Sequence, residues 1–168
     1  MASILNVDQI KNAAGTTAMT IDSSGNLILT NAGSSVFYQT GTWTPEYVPT
    51  SGSTTITYDA QTGNYTRIGN VVHFSIHLGT DSRSGGSGNV TINLPIASKT
   101  GITQSGSIGL AYSWGSSQIE QAKWYVVSNS SYLYFAKGTN SAPDTLFSYL
   151  ATGANANRLF INGIYLVD

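Results

Sequence analysis

The 168-residue chain reads as all-β: an antiparallel β-sandwich or jelly-roll-like domain preceded by a short β-strand segment. Three observations carry this. Val72, Phe74, Ile76 and Leu78 alternate with His73, Ser75 and His77, and a period of two belongs to a strand with one buried face. Gly69-Asn70 stands between Ile68 and Val71 with glycine where a type II′ turn needs positive φ, so the stretch 63–78 forms a hairpin. From Val36 onward, short apolar runs alternate with turn signals at intervals of roughly 8 to 15 residues, the cadence of a sandwich.

Residues 4–10, 19–22 and 27–30 read as thin strands, the last two joined by Ser23-Ser24-Gly25-Asn26. Their apolar positions include Ile4, Leu5, Val7, Ile10, Ile21 and Leu27. An isolated hairpin is marginal in water, so these side chains cannot close a core and are the candidate attachment or oligomer contacts. Residues 31–35 are small and polar and read as a linker between an attachment segment, 1–35, and a sandwich knob, 36–168.

Within the knob, strands are expected near 42–48, 54–58, 64–68, 71–79, 89–94, 107–114, 122–127, 131–136, 145–150 and 158–167. Val90, Ile92 and Leu94 give one buried row, and Ile108, Leu110, Tyr112 and Trp114 give another. Residues 123–127 and 159–167 are apolar on both faces, so each needs cover from a second sheet or from another subunit. The Gly/Ser-rich stretch 81–88 reads as a mobile hairpin loop, and 117–123 has room for one helical turn.

Composition narrows the function classes. Charged residues make up 9% of the chain, against roughly 25% in an ordinary globular protein, so the surface is built from hydroxyls and amides. A net charge of −1 with scattered basic residues provides no phosphate-neutralising patch, and neither nucleic acid nor an anionic membrane is an expected partner. There is no cysteine, no run approaching a membrane span, and no export signal at the N-terminus.

No catalytic constellation stands out. Asp22, Asp59, Asp81 and Asp144 sit in turn-like contexts, Glu46 lies on the polar side of a strand, and no sequence pattern pairs two carboxylates as a glycosidase requires. His73 and His77 share a strand face about 13 Å apart, too far to ligate one metal. No enzyme activity, cofactor or metal is expected. The aromatics remain. Trp43 and Trp114 read first as core, whereas Trp124, Tyr125, Tyr132 and Tyr134 suit either sugar stacking or a subunit interface. Trp114, Tyr132 and Asn140 are the candidate receptor contacts, on loops at 114–117, 129–132 and 139–144 that can converge at one end of a sandwich.

Two segments carry a family resemblance: ILNVDQIKNAAGTTAMTIDSSGN at 4–26, and GTWTP at 41–45 followed by GNYTRIGNVV at 63–72. The first resembles the opening of fibre and appendage proteins of tailed bacteriophages, especially marine and cyanobacterial phages. The second is similar to a module recurring in their tail-fibre and collar- or head-appendage proteins. Together they cover about a third of the chain, and 100–168 matches nothing in the family. The resemblance implies a virion component, which, with no catalytic constellation and no export signal in the sequence, is expected to be non-enzymatic and made in the host cytoplasm. It would be a homotrimer joined to other virion proteins by its N-terminal segment, with its outer domain available to host-surface glycan. A capsid decoration protein and a carbohydrate-binding module or depolymerase fragment are the alternatives.

Overall fold

Two long strands organise the chain; in the second, apolar side chains alternate at 72–78 and again at 90–94, and no proline interrupts it. They are β5 (Tyr47–Ile68) and β6 (Val71–Asn93), 22 and 23 residues long. The structure, a computed structural model, describes residues 9–11, 13–24, 27–31, 34–116, 119, 122–137 and 147–168. Gly69 at φ 59° turns the chain between them, and Asn70 keeps negative φ, the pattern of the expected type II′ turn. Ile68 pairs with Val71 across it.

Register shifts between Pro49 and Ser51, Ser51 and Thr54, Thr57 and Tyr58, and Tyr58 and Ala60 interrupt the ladder. Each such irregularity bends and twists the pair, so its two halves enter different layers. Residues 60–68 and 71–79 lie with β4 (Ser34–Trp43) on one side and β11 (Ala156–Leu166) on the other, and β8 (Leu110–Tyr112) pairs with β11 beyond. This is the first layer. The far ends, Tyr47–Pro49 and Val90–Asn93, belong to the second with β10 (Tyr132–Lys137), β9 (Ala122–Val126) and β7 (Gln104–Ser107) in that order. All pairings are antiparallel, as expected for an all-β sandwich.

The core lies between the layers. Val72, Phe74, Ile76 and Leu78 of β6 are at most 4% exposed, and Leu159, Ile161 and Tyr165 of β11 are fully buried beside them. From the second layer come Val90, Ile92, Trp124, Val126, Leu133 and Phe135. Phe74 meets Trp124 edge-to-face at 5.4 Å across the interior. Gly163 lies under this contact: a Cβ there would stand 2.5 Å from Trp124 and 2.6 Å from Phe74, so the two rings require the bare backbone.

Ahead of the sandwich, β1 (Gln9–Lys11), β2 (Thr17–Ile21) and β3 (Leu27–Asn31) form an antiparallel meander that ends on β4. The thin strands are therefore present, and Ile10 and Ile21 are 50% and 46% exposed. Leu27 pairs with Ile21, while Ile4, Leu5 and Val7 fall outside the described residues.

At the expected boundary, Asn31 pairs with Ser34 and Thr30 with Ser35, and β4 then continues from Phe37, paired with Ile28, to Tyr38, paired with Ile68. Several expectations require correction. A strand over 42–48 is interrupted, since β4 ends at Trp43 and β5 starts at Tyr47 with Pro45 buried between. Residues 81–88 are strand, not loop. Ser82, Arg83, Ser84 and Gly85 pair with Thr57, Ile56, Thr55 and Thr54, and the positive φ of Gly85, Gly86 and Gly88 serves the bend.

The row Ile108, Leu110, Tyr112, Trp114 also breaks. Ala111 is buried opposite Leu159, which turns Leu110 and Tyr112 outward at 52% and 44% exposure. Ser113 at φ 59° then reverses the chain, and Trp114 packs inward. Residues 147–149 form a 3-10 turn rather than a strand. Its Phe147 ring fills the space over Gly86 and lies under Arg83, whose guanidinium carbon is 5.2 Å from the ring centre.

Candidate functional site

Of the expected receptor contacts, Trp114 and Tyr132 lie among the described residues. Trp114 is half-buried in the core, edge-on to Tyr47 at 5.5 Å and Phe135 at 6.5 Å, and its indole donates to the Arg158 carbonyl at 3.1 Å. The 129–132 turn lies at the other end: the Asn129 amide reaches the Lys99 carbonyl, and the Lys99 amide reaches the Leu166 carbonyl. Arg158 and Leu166 lie toward opposite ends of β11. Asn140 and the 139–144 loop lie outside the described residues.

Tyr132 does have aromatic neighbours. It opens β10 at 39% exposure, and Tyr134 follows two residues later on the same outer face. Tyr134 stacks on Tyr125 of β9 with ring centres 5.4 Å apart and planes at 28°. Asn93 stands opposite Tyr132, Thr91 opposite Tyr134, and Ser105 of β7 opposite Tyr125. The register thus builds a strip of three tyrosines edged by an amide and hydroxyls on the outside of the second layer. Period-two counting through 122–127 and 131–136 isolates Tyr125, Tyr132 and Tyr134 from Trp124, which is core at 2% exposure. Their adjacency required the strand pairing, which one sequence does not contain.

Behind this strip and toward the bend, the polar residues have structural duties. Asn157 is fully buried with φ 51°. Its side-chain amide donates to the Thr80 hydroxyl at 2.6 Å and the Ala151 carbonyl at 2.9 Å, and its side-chain oxygen accepts from the Ala151 amide at 2.7 Å. Its backbone carbonyl accepts from the Tyr47 hydroxyl at 2.8 Å. Burial pushes Tyr47, Tyr58 and Tyr165 up from the ordinary tyrosine range.

Asp59 and Asp81 flank the Tyr58–Thr80 pair of the β5–β6 ladder. Asp59 pairs with Arg158, Asp81 accepts from the Asn155 amide, and Glu46 is exposed just before β5. Asp168 accepts from the hydroxyl and amide of Thr100 and pairs with Lys99; these contacts, Thr100 first, hold its carboxyl below the usual range. Asp22 accepts from the Ser24 amide, an Asx turn as its context suggests. His77 stacks on Phe160 at 4.3 Å, and His73 is exposed. Among the described residues, no cluster of His, Asp and Glu could hold a metal ion, and no helix is long and apolar enough to cross a membrane.

Two shallow depressions mark the surface. One of about 250 Å³ is lined by Asn64, Tyr65, Thr66, His73, Phe74 and Ser75 on β5 and β6. Another of about 300 Å³ lies between Glu46, Tyr47 and Thr54–Tyr58, where β5 bends. His73 and Ser75 share the first, and among the described residues Glu46 is the one carboxylate lining the second.

No protein-family model matches the chain, and no curated protein matches it in sequence. Among solved structures, the crystal structure of the Dettilon tailspike protein superposes on it with a TM-score of 0.57 and 23% identity over 76% of this chain. This chain spans 23% of the tailspike's length, and at that identity the likeness establishes the fold: the sandwich is one that also occurs in a tailspike protein.

Proposed function

We propose that the chain is a non-enzymatic structural protein of a tailed-phage virion, a short homotrimeric appendage on the particle's outer surface that adheres to host-surface glycan. Residues 1–35 attach it to other virion proteins, and residues 36–168 form the exposed knob. The observation that carries this reading is the sandwich held in common with a tailspike protein over three quarters of the chain. The phage-appendage resemblance of 4–26, 41–45 and 63–72 supports it from separate residues.

Within this reading, the strip of Tyr125, Tyr132 and Tyr134 is the glycan contact. Tyrosine faces stack on sugar rings, while the exposed Ser105 supplies a hydroxyl for hydrogen bonding. With 9% charged residues, adhesion draws little on ion pairs and should change little with salt. Binding of the purified protein to host cells or a glycan array tests this. Tyr132→Ala and Tyr134→Ala should each weaken binding about tenfold, in line with ~1–1.5 kcal/mol for a lost aromatic contact. Unchanged binding by both folded variants would remove the strip from the reading. Release of reducing ends from host polysaccharide would favour the depolymerase alternative, and labelling on the capsid shell the decoration alternative.

A further inference from the structure

We propose that the outer face of the first layer is the contact between copies of this chain; the inference rests on the appendage reading and specifies the surface through which that assembly closes. Strand register puts the outward side chains of four strands in rows. Thr42, Asn64, Ser75 and Asn162 stand directly opposite one another across β4, β5, β6 and β11. Toward the β5–β6 turn, the flanking rows run through Thr40, Thr66, His73 and Ile164 and then through Tyr38 and Ile68. On the other side lie Thr62, His77, Phe160 and, across to β8, Leu110.

No Asp, Glu, Lys or Arg occurs in any of these rows. Among the described residues, eight large hydrophobic side chains are exposed, and four of them, Tyr38, Ile68, Leu110 and Ile164, stand in these rows; Tyr112 lies one row beyond, opposite Arg158. Ile164 at 54% is the most exposed of all eight. Clustering of this kind marks an interaction site, whereas scattered singles would not.

Size and chemistry identify the occupant. Rows about 7 Å apart and strands about 4.8 Å apart give roughly 500 Å² of flat area over four rows and four strands, which side-chain relief raises toward the ~800 Å² per partner of a stable interface. A charged partner would bury its charges here without counter-charges. A second copy does not meet that obstacle: these four rows carry no charge to repel one another, and Thr, Asn and Ser both donate and accept, so like can pair with like.

Light scattering and sedimentation of the full chain at micromolar concentration, with circular dichroism of every variant, test the assignment. Ile164 and Ser75 are exposed, so Ile164→Glu and Ser75→Arg should leave the monomer fold intact while placing like charges opposite each other in the assembly. The expected result is an assembly of wild-type chains, each 17.7 kDa, whose dissociation constant rises at least 100-fold in each variant. Ser107→Glu on the other layer should leave it unchanged. Variants that assemble like wild type overturn the face and leave the appendage reading standing. A monomeric wild type overturns the face and the homotrimer together. Loss of cell binding by Ile164→Glu with assembly unchanged would make the face a ligand platform and also overturn the proposal.

Discussion

Asn157 concentrates in one side chain what several loops would otherwise need separately. It joins β11 to Thr80 of β6, to the Ala151 end of the 3-10 turn and, through its carbonyl, to Tyr47 of β5. Asparagine suits the place because it supplies donor and acceptor together and tolerates the left-handed φ of 51° better than most residues. Asn157→Ala leaves the Ala151 amide and carbonyl and the Thr80 hydroxyl without these partners and keeps the backbone strained. Each unsatisfied buried group costs ~1–3 kcal/mol, so a total loss of about 3–4 kcal/mol is expected after relaxation. Chemical denaturation measures it, with Asn157→Gly as the control that removes the strain but not the lost bonds. A loss under about 1 kcal/mol in the alanine variant would show that solvent replaces the network.

At the scale of elements, β4 connects the N-terminal meander to the sandwich, with its first half on β3 and its second half on β5. The described buried core begins at Tyr47, beyond both. Removing residues 1–35 therefore leaves the pairing of Tyr38–Trp43 with β5 intact and should give a folded domain whose unfolding midpoint lies within a few degrees of the full chain, but which no longer joins the particle. Calorimetry and incorporation into virions check the two halves, and full incorporation would place attachment elsewhere. What was legible in the sequence follows the same division. The alternation of β6 and the Gly69-Asn70 turn could be read because both signals are local. In β8 the pattern misled, since pairing of Ala111 with Leu159 determines which face is inward and larger neighbours at 110 and 112 suggested the reverse. Residues 81–88 looked like a loop because glycine composition cannot distinguish a bend in a paired strand from a free turn. The tyrosine strip emerged only in part, as its stacking depends on which strands become neighbours.

For the whole molecule, low charge leaves few groups whose titration can move stability near neutrality, and the buried tyrosines take over at high pH. Tyr47 and Tyr165 are 2% and 0% exposed, with hydroxyls donating to the Asn157 and Ile96 carbonyls, and burial is the first cause of their raised pKa. Tyr58 is raised for the same first reason, partly offset by the Tyr47 amide that donates to its oxygen. The direction of the effect follows from proton counting. Above about pH 10 an unfolded chain releases these protons while the folded chain keeps them, so the folded state binds more protons and stability falls as pH rises. Below about pH 10 both states hold the protons and the contribution is fully present. Each tyrosine that stays protonated adds ~1.4 kcal/mol per pH unit to the slope, so Tyr47 and Tyr165 together give about 3 kcal/mol per unit above pH 10.5, with a smaller addition from the half-buried Tyr58. Denaturation between about pH 8 and pH 11, followed by tyrosinate absorbance, should show a flat region and then a steep decline as unfolding and ionisation proceed together. Tyr47→Phe should lower stability at pH 8, because the Asn157 carbonyl loses its donor, and reduce the alkaline slope by about 1.4 kcal/mol per unit. Equal stability at pH 8 and pH 11 in the wild type would mean that these hydroxyls ionise within the fold, and the interior between the two layers would then have to be open to solvent.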